Sequence, residues 1–336
     1  MRESAPDAVA TTLAFFIAAI LLLLAPDRLQ TQEDLTRLIE DARFLVATSG
    51  DAIWTGFADA PAGVLLIDGE QERLYCHPDE PDGFSWAGMN AQTGCDVYAR
   101  ERVFPPNLLA SFPAVDGVPT VVIGTPEATG LDAAQWTRTL VHERFHQLQY
   151  SWPGYYPGTR ALGLHGDDDT GEWMLNYPFP YADEAVATAL QRMAALLGDA
   201  LTVAEGAGSR VEQAAAIRRY VSARSDAAAL VSAADWRYVE FQMWQEGVAA
   251  WTEAAVWEHA GEAGLPLRAR LATTLEQLDV ADLGRVAFYA LGAGEAALLD
   301  SAGEGWREHY WLEPFQLGRS IKRLSFSVAD PAAVTD

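Results

Sequence analysis

The amino-acid sequence predicts an α+β protein: a small β-containing N-terminal lobe, a junction helix carrying two histidines, and a mostly helical C-terminal lobe. Three observations predict it. Short apolar runs bounded by Gly, Pro and Asp are confined to residues 63–124, which is strand punctuation. Apolar positions recur at helical spacing through nearly all of 182–300. Between the two regions stands Leu140-Val141-His142-Glu143-Arg144-Phe145-His146-Gln147-Leu148, an HExxH pattern inside a helical stretch. Half of the residues are hydrophobic and 21% are charged, the profile of a chain with a packed core. A net charge of −24 repels phosphate backbones and excludes a nucleic-acid partner.

Residues 1–30 read as a targeting segment. The stretch 8–25 is uncharged, follows Arg2 and precedes Asp27-Arg28. As a helix it is about 27 Å long, just a membrane span. It is longer than the usual signal-peptide core of about 7–15 residues. An uncleaved transmembrane anchor is the first reading, a cleaved signal peptide the second, a buried core helix the third. The first two place the body outside the cytoplasm, membrane-anchored or secreted. The first also makes the membrane a partner through this segment.

The N-terminal lobe covers 31–131. An amphipathic helix is expected over 31–48 from Leu35, Leu38, Ile39, Ala42, Phe44 and Leu45. A hairpin follows, with strands 63–67 and 72–76 around 68–71. Residues 97–104 read as extended and stop at Pro105-Pro106. The strand 119–124 leads into the HExxH helix, and its place at a sheet edge, open to an extended peptide, is expected by analogy alone. Cys76 and Cys95 bracket a loop rich in Pro, Asp and Gly, and an oxidising compartment would join them. The helical lobe covers 132–304, starting at Asp132 as N-cap. The tail 305–336 reads as irregular with a strand at 325–328.

The chemistry lies in the HExxH. On a helix His142 and His146 stand one turn apart on the same face, so both imidazoles can reach one ion. Glu143 lies beside them, placed to take a proton from a water the ion polarises. A catalytic zinc site needs a third protein ligand, commonly His or a carboxylate. No His follows His146 at close range, so a later Glu must supply it, with Glu246, Glu184, Glu240 and Glu253 as the candidates.

Met243-Trp244-Gln245-Glu246-Gly247-Val248-Ala249-Ala250-Trp251-Thr252-Glu253 resembles the third-ligand helix of the gluzincin metallopeptidases, the aminopeptidase N-like and thermolysin-like branch. The match runs through Trp244, Glu246, Gly247, Ala249 and Glu253, with Gln245 where the family has Asn. The resemblance implies zinc on His142, His146 and Glu246, with Glu253 holding a ligand histidine. Phe288-Tyr289-Ala290-Leu291-Gly292 resembles the Y-x-x-G stretch of the same branch, which implies Tyr289 as hydrogen-bond donor to the tetrahedral intermediate. The stretch from His146 to Glu246 is longer than in those enzymes, so extra helices must be inserted. The whole implies an exported zinc metallopeptidase acting on a peptide or protein substrate. Two other readings stay open: a cell-envelope binding or assembly protein on the same scaffold, and a zinc hydrolase of a non-peptide amide or ester.

Overall fold

The computed structural model describes residues 32–168, 170–206, 208–261, 264–303 and 305–327. The apolar segment 8–25 lies outside them. The first element, α1 (Gln32–Ile53), buries Leu35, Leu38, Ile39 and Ala42 of the expected stripe together with Val46, whereas Phe44 is exposed. Six strands follow: β1 (Val64–Asp68), β2 (Gln71–Tyr75), β3 (Ser85–Met89), β4 (Asp96–Glu101), β5 (Leu109–Val115) and β6 (Val118–Gly124). They form one mixed sheet in the order β3-β4-β2-β1-β6-β5.

The expected hairpin is present, with Asp68 opposite Gln71. β1 and β6 pair in parallel, and the other neighbours are antiparallel. Period-two alternation divides the sheet's side chains between two cores. Val64, Leu66, Val121 and Ile123 face the helical body, while Leu65, Ile67, Leu74 and Val122 form a smaller cluster on the opposite face. Cys76 and Cys95 are joined, their Cα atoms 4.9 Å apart.

Three expectations are corrected. The strand 119–124 is not an edge: β6 lies between β1 and β5, and the edge beside the helical body is β5. β5 escaped notice because it carries Pro113, which an edge strand tolerates at the irregularity between Phe112 and Val115. The tail is not irregular: 325–327 form no strand, and residue 328 lies outside the described residues. Residues there belong to a helix that buries Leu317, Ile321 and Leu324 at helical spacing, and burial of that stripe outweighs the local alternation Ser325-Phe326-Ser327.

After β6 the chain is helical: α2 (Pro126–Thr129), α3 (Ala133–Ser151), α4 (Tyr155–Ala161), α5 (Trp173–Asn176), α6 (Glu184–Glu205), α7 (Arg210–Ala228), α8 (Ala233–Gln242), a π-helical turn Met243–Gly247, α9 (Val248–His259), α10 (Leu267–Glu276), α11 (Val280–Leu283), a 3-10 turn Gly284–Val286, α12 (Ala287–Ser301), α13 (Trp306–Leu312) and α14 (Leu317–Ser327). Asp132 caps α3 in a capping box with Gln135. One hydrophobic core runs from Leu35 in α1 to Leu324 in α14 and includes the inner face of the sheet. No helix among the described residues is long and apolar enough to cross a membrane.

The π turn crosses α12 at two glycines. A Cβ on Gly292 would fall on the Met243 carbonyl oxygen and 2.8 Å from the Gly247 Cα, and one on Gly247 would fall on Gly292. Backbone meets backbone there, and nothing flexible can yield. Gly292→Ala should therefore destabilise the chain by about 1–3 kcal/mol, the usual range for overpacking, read as a lower urea midpoint. A midpoint equal to wild type would mean the two elements separate freely.

Candidate metal centre

The site is assembled from α3, the π turn and α12. His142 and His146 occupy successive turns of α3, both buried, with their Nε2 atoms 3.1 Å apart. Glu246 comes from the π turn, and its Oε2 lies 3.6 Å from Nε2 of His142 and 3.4 Å from Nε2 of His146. The three ligand atoms lie within 4.8 Å of one another, close enough to share one ion. In that turn the Val248 N–H returns to the Met243 carbonyl, five residues back. The wider turn is a device found often at functional sites.

The rival carboxylates go elsewhere. Glu184 is exposed in the first turn of α6. Glu240 pairs with Arg224 at 2.7 Å. Glu253 Oε2 lies 3.7 Å from Nδ1 of His142, behind the imidazole, while its Oε1 meets Arg138 at 3.3 Å.

His146 is oriented by Gln149, one turn on. The Gln149 carboxamide nitrogen is surrounded by acceptors, the Tyr310 hydroxyl at 2.7 Å and the Gln245 carbonyl at 3.0 Å. Its oxygen must therefore face His146, accepting from Nδ1–H at 2.6 Å. In the neutral imidazole that leaves the Nε2 lone pair toward the shared point. The Gln245 carboxamide lies 3.0 Å from the same Nδ1.

Glu143 is buried, and its Oε2 has no hydrogen-bonding partner among the described residues. Its backbone carbonyl accepts from Ser111 Oγ of β5 at 2.9 Å, which ties this turn of α3 to the edge strand. Tyr289 of α12 stacks on His142, with ring centroids 6.0 Å apart and planes within 11°. Its hydroxyl accepts from Arg285 at 2.8 Å and is hydrogen-bonded to Glu246. The Arg285 guanidinium also lies 3.8 Å from Glu246 Oε1.

The charges are set by these contacts. Burial opposes ionisation of Glu246, but the His146 charge, hydrogen bonds from both histidines and the Arg285 charge together hold it well below the usual carboxylate range. Burial would lower His146. The charge and hydrogen bond of Glu246, the charge of Glu143 and the Gln149 contact outweigh it and raise the imidazole to about 9. Burial, then the Glu246 charge, drives the Tyr289 phenol well above its ordinary value, so it stays a neutral donor. Burial and the neighbouring Arg43 charge push Arg144 down to about 10, still cationic at neutral pH.

No protein-family model, curated protein or solved structure matches this chain. The donor set and its surroundings therefore carry the functional argument. Two imidazoles and an ionised carboxylate converge, and a free buried carboxylate oxygen belongs to the residue between them in sequence. That set fits a tetrahedral ion with one coordination position left open.

Sequence reasoning missed Arg138, Gln149 and Arg285. Arg138 and Gln149 stand one helical turn before His142 and after His146, so the spacing held a signal for them. Arg285 sits on a 3-10 turn that no local pattern connects to the histidines. The aromatic side chains of 150–156 and 173–181 mostly pack the core: Tyr155 against Trp244 and Phe315, Phe179 and Tyr181 against Phe288. Tyr150 is the exception, stacking on His146 with centroids 6.0 Å apart.

The raised His146 sets a pH dependence. In the metal-free protein its ion pair with Glu246 adds stability that is fully present below pH 6.5 and lost as pH rises through about 9. A divalent ion must displace that proton. Affinity in a chelator competition should climb by about tenfold per pH unit from neutrality and level off near pH 9. A flat profile over this range would contradict the pairing.

Proposed function

We propose that this chain is a zinc-dependent metallopeptidase of gluzincin type. The observation that carries the reading is the convergence of His142, His146 and Glu246 with the unpartnered Oε2 of Glu143 beside them. A bound zinc ion would supply Lewis acidity, making a water acidic near neutral pH and polarising a carbonyl. The chain's own residues supply the proton handling. Glu143 Oε2 accepts the proton of the attacking water, and the resulting neutral acid returns it to the leaving nitrogen. The Tyr289 hydroxyl turns its hydrogen bond from Glu246 to the developing oxyanion, a donor that adds no charge. Arg285 keeps the phenol oriented from the other side. The β5 edge, tied to the Glu143 turn through Ser111, lies where an extended peptide backbone would add a strand.

The Cys76–Cys95 disulfide supports an extracytoplasmic setting, and the uncharged segment 8–25 supports export by an anchor or a signal peptide. A peptide or protein is the expected substrate.

The test combines metal analysis with turnover. Wild type should hold one zinc per chain, lost in His142→Ala and His146→Ala and weakened in Glu246→Ala. Full zinc retention in Glu246→Ala, with loss in Glu184→Ala, would reassign the third ligand. Glu143→Gln should keep its zinc and lose peptide hydrolysis. Cleavage of amides or esters alone would move the assignment to a non-peptide hydrolase. If wild type is as inert as Glu143→Gln on every substrate class, the enzyme reading fails in favour of a binding protein. Tyr289→Phe should lower kcat by about 10²–10³, the scale of one lost oxyanion donor, at unchanged zinc content.

A further inference from the structure

Arg144, inside the HExxH, is a buried cation without a counter-charge. It is 3% exposed, and its one hydrogen bond among the described residues is a long one, Nη2 to the Ala60 carbonyl at 3.4 Å. Among the described residues its Nε is buried without a partner, and no carboxylate forms an ion pair with it. The neighbouring charge that acts on it has the same sign, Arg43 of α1. Isolated charges are costly to bury and are normally paired.

The surroundings offer further donors. Arg43 reaches Cys76 Sγ with Nη1 at 2.7 Å, which places it at the end of β2. Tyr75, the last residue of β2, is fully buried and its hydroxyl has no partner. The register sets Tyr75 opposite Val64, at the end of the loop that begins with Ala60, the residue Arg144 touches. The Arg144 and Arg43 guanidiniums thus act on each other where α1 and α3 pack, beside the end of β2 that carries the Tyr75 phenol. Glu40 lies 3.4 Å from Arg43 and offsets one positive charge, so one remains.

We infer that Arg144 and Arg43 form a buried site for one small monovalent anion of the halide class, chloride in physiological media, beneath the turn that carries Glu143. The charge balance selects a single negative charge. The donors are guanidinium N–H groups, and the acidic group beside them, Glu40, is offset by Arg43. Occupancy would hold α3 against α1 and β1 on the side opposite the metal ligands, so it would act on the fold before it acts on chemistry.

The experiment uses the full-length chain in three arms. Melting temperature is followed while sodium chloride replaces sodium gluconate at constant ionic strength. It should rise by several degrees and saturate, because a ligand that binds the folded state alone stabilises it. Crystals soaked in bromide should show an anomalous peak in contact with the Arg144 guanidinium. Arg144→Met, apolar and of similar volume, should lose the chloride response and melt at or above wild type in gluconate, since the uncompensated charge is gone. Should that variant fail to fold, the first two arms still decide. Equal melting temperatures in chloride and gluconate, or bromide peaks only at the surface, overturn the site. None of these readouts uses hydrolysis, so the inference stands or falls separately from the peptidase reading.

Discussion

The carboxylate of Glu246 is a buried negative charge, and much of the helical body is arranged around compensating it. Two imidazoles approach it from α3 and a guanidinium from the turn before α12. Desolvation alone would protonate such a group, and these contacts reverse that outcome. The compensation requires the π turn and α12 to lie almost in backbone contact. Gly247 and Gly292 make the approach sterically possible, because a Cβ at either position would strike the opposing main chain. The ligand set is therefore inseparable from this helix crossing.

A second layer keeps those groups from relaxing. Tyr310 of α13 stacks on Trp244 with centroids 4.3 Å apart and planes within 7°. Its hydroxyl also accepts from the Gln149 carboxamide that orients His146. Trp54, directly after α1, packs against Phe145, Tyr310, Trp251 and Trp306, joining the end of the first described helix to the metal helix and to the C-terminal segment. Rigid aromatic packing of this kind supplies large buried area at low side-chain entropy cost. The C-terminal helices thus belong to the site's support, although they donate no ligand.

Charge is zoned. The chain carries a net −24, yet the residues packed around the candidate centre include Arg138, Arg144 and Arg285. Arg138 engages Glu253 behind His142, Arg285 engages Glu246 and Tyr289, and Arg144 lies on the far side of the same helix turn. In a low-dielectric interior these few cations govern ionisation more than the acidic surface does, because surface charges are screened by water and salt.

By itself the sequence determined the fold class, the capped metal helix, the hairpin, the disulfide pair and the two histidines on one face. All of these follow from periodicity, capping chemistry or local spacing, which act within a few turns of chain. The preference for Glu246 over Glu184, Glu240 and Glu253 came from motif resemblance, and local spacing could not have made it. The tertiary structure decided which carboxylate meets the histidines, because a helix crossing brings Glu246 to within 3.6 Å of both imidazoles while Arg224 occupies Glu240. It likewise decided the edge strand, the helical tail and the place of Arg285. Sheet order and helix docking are settled by burial of whole faces between distant segments, and no local pattern of residues encodes which faces meet.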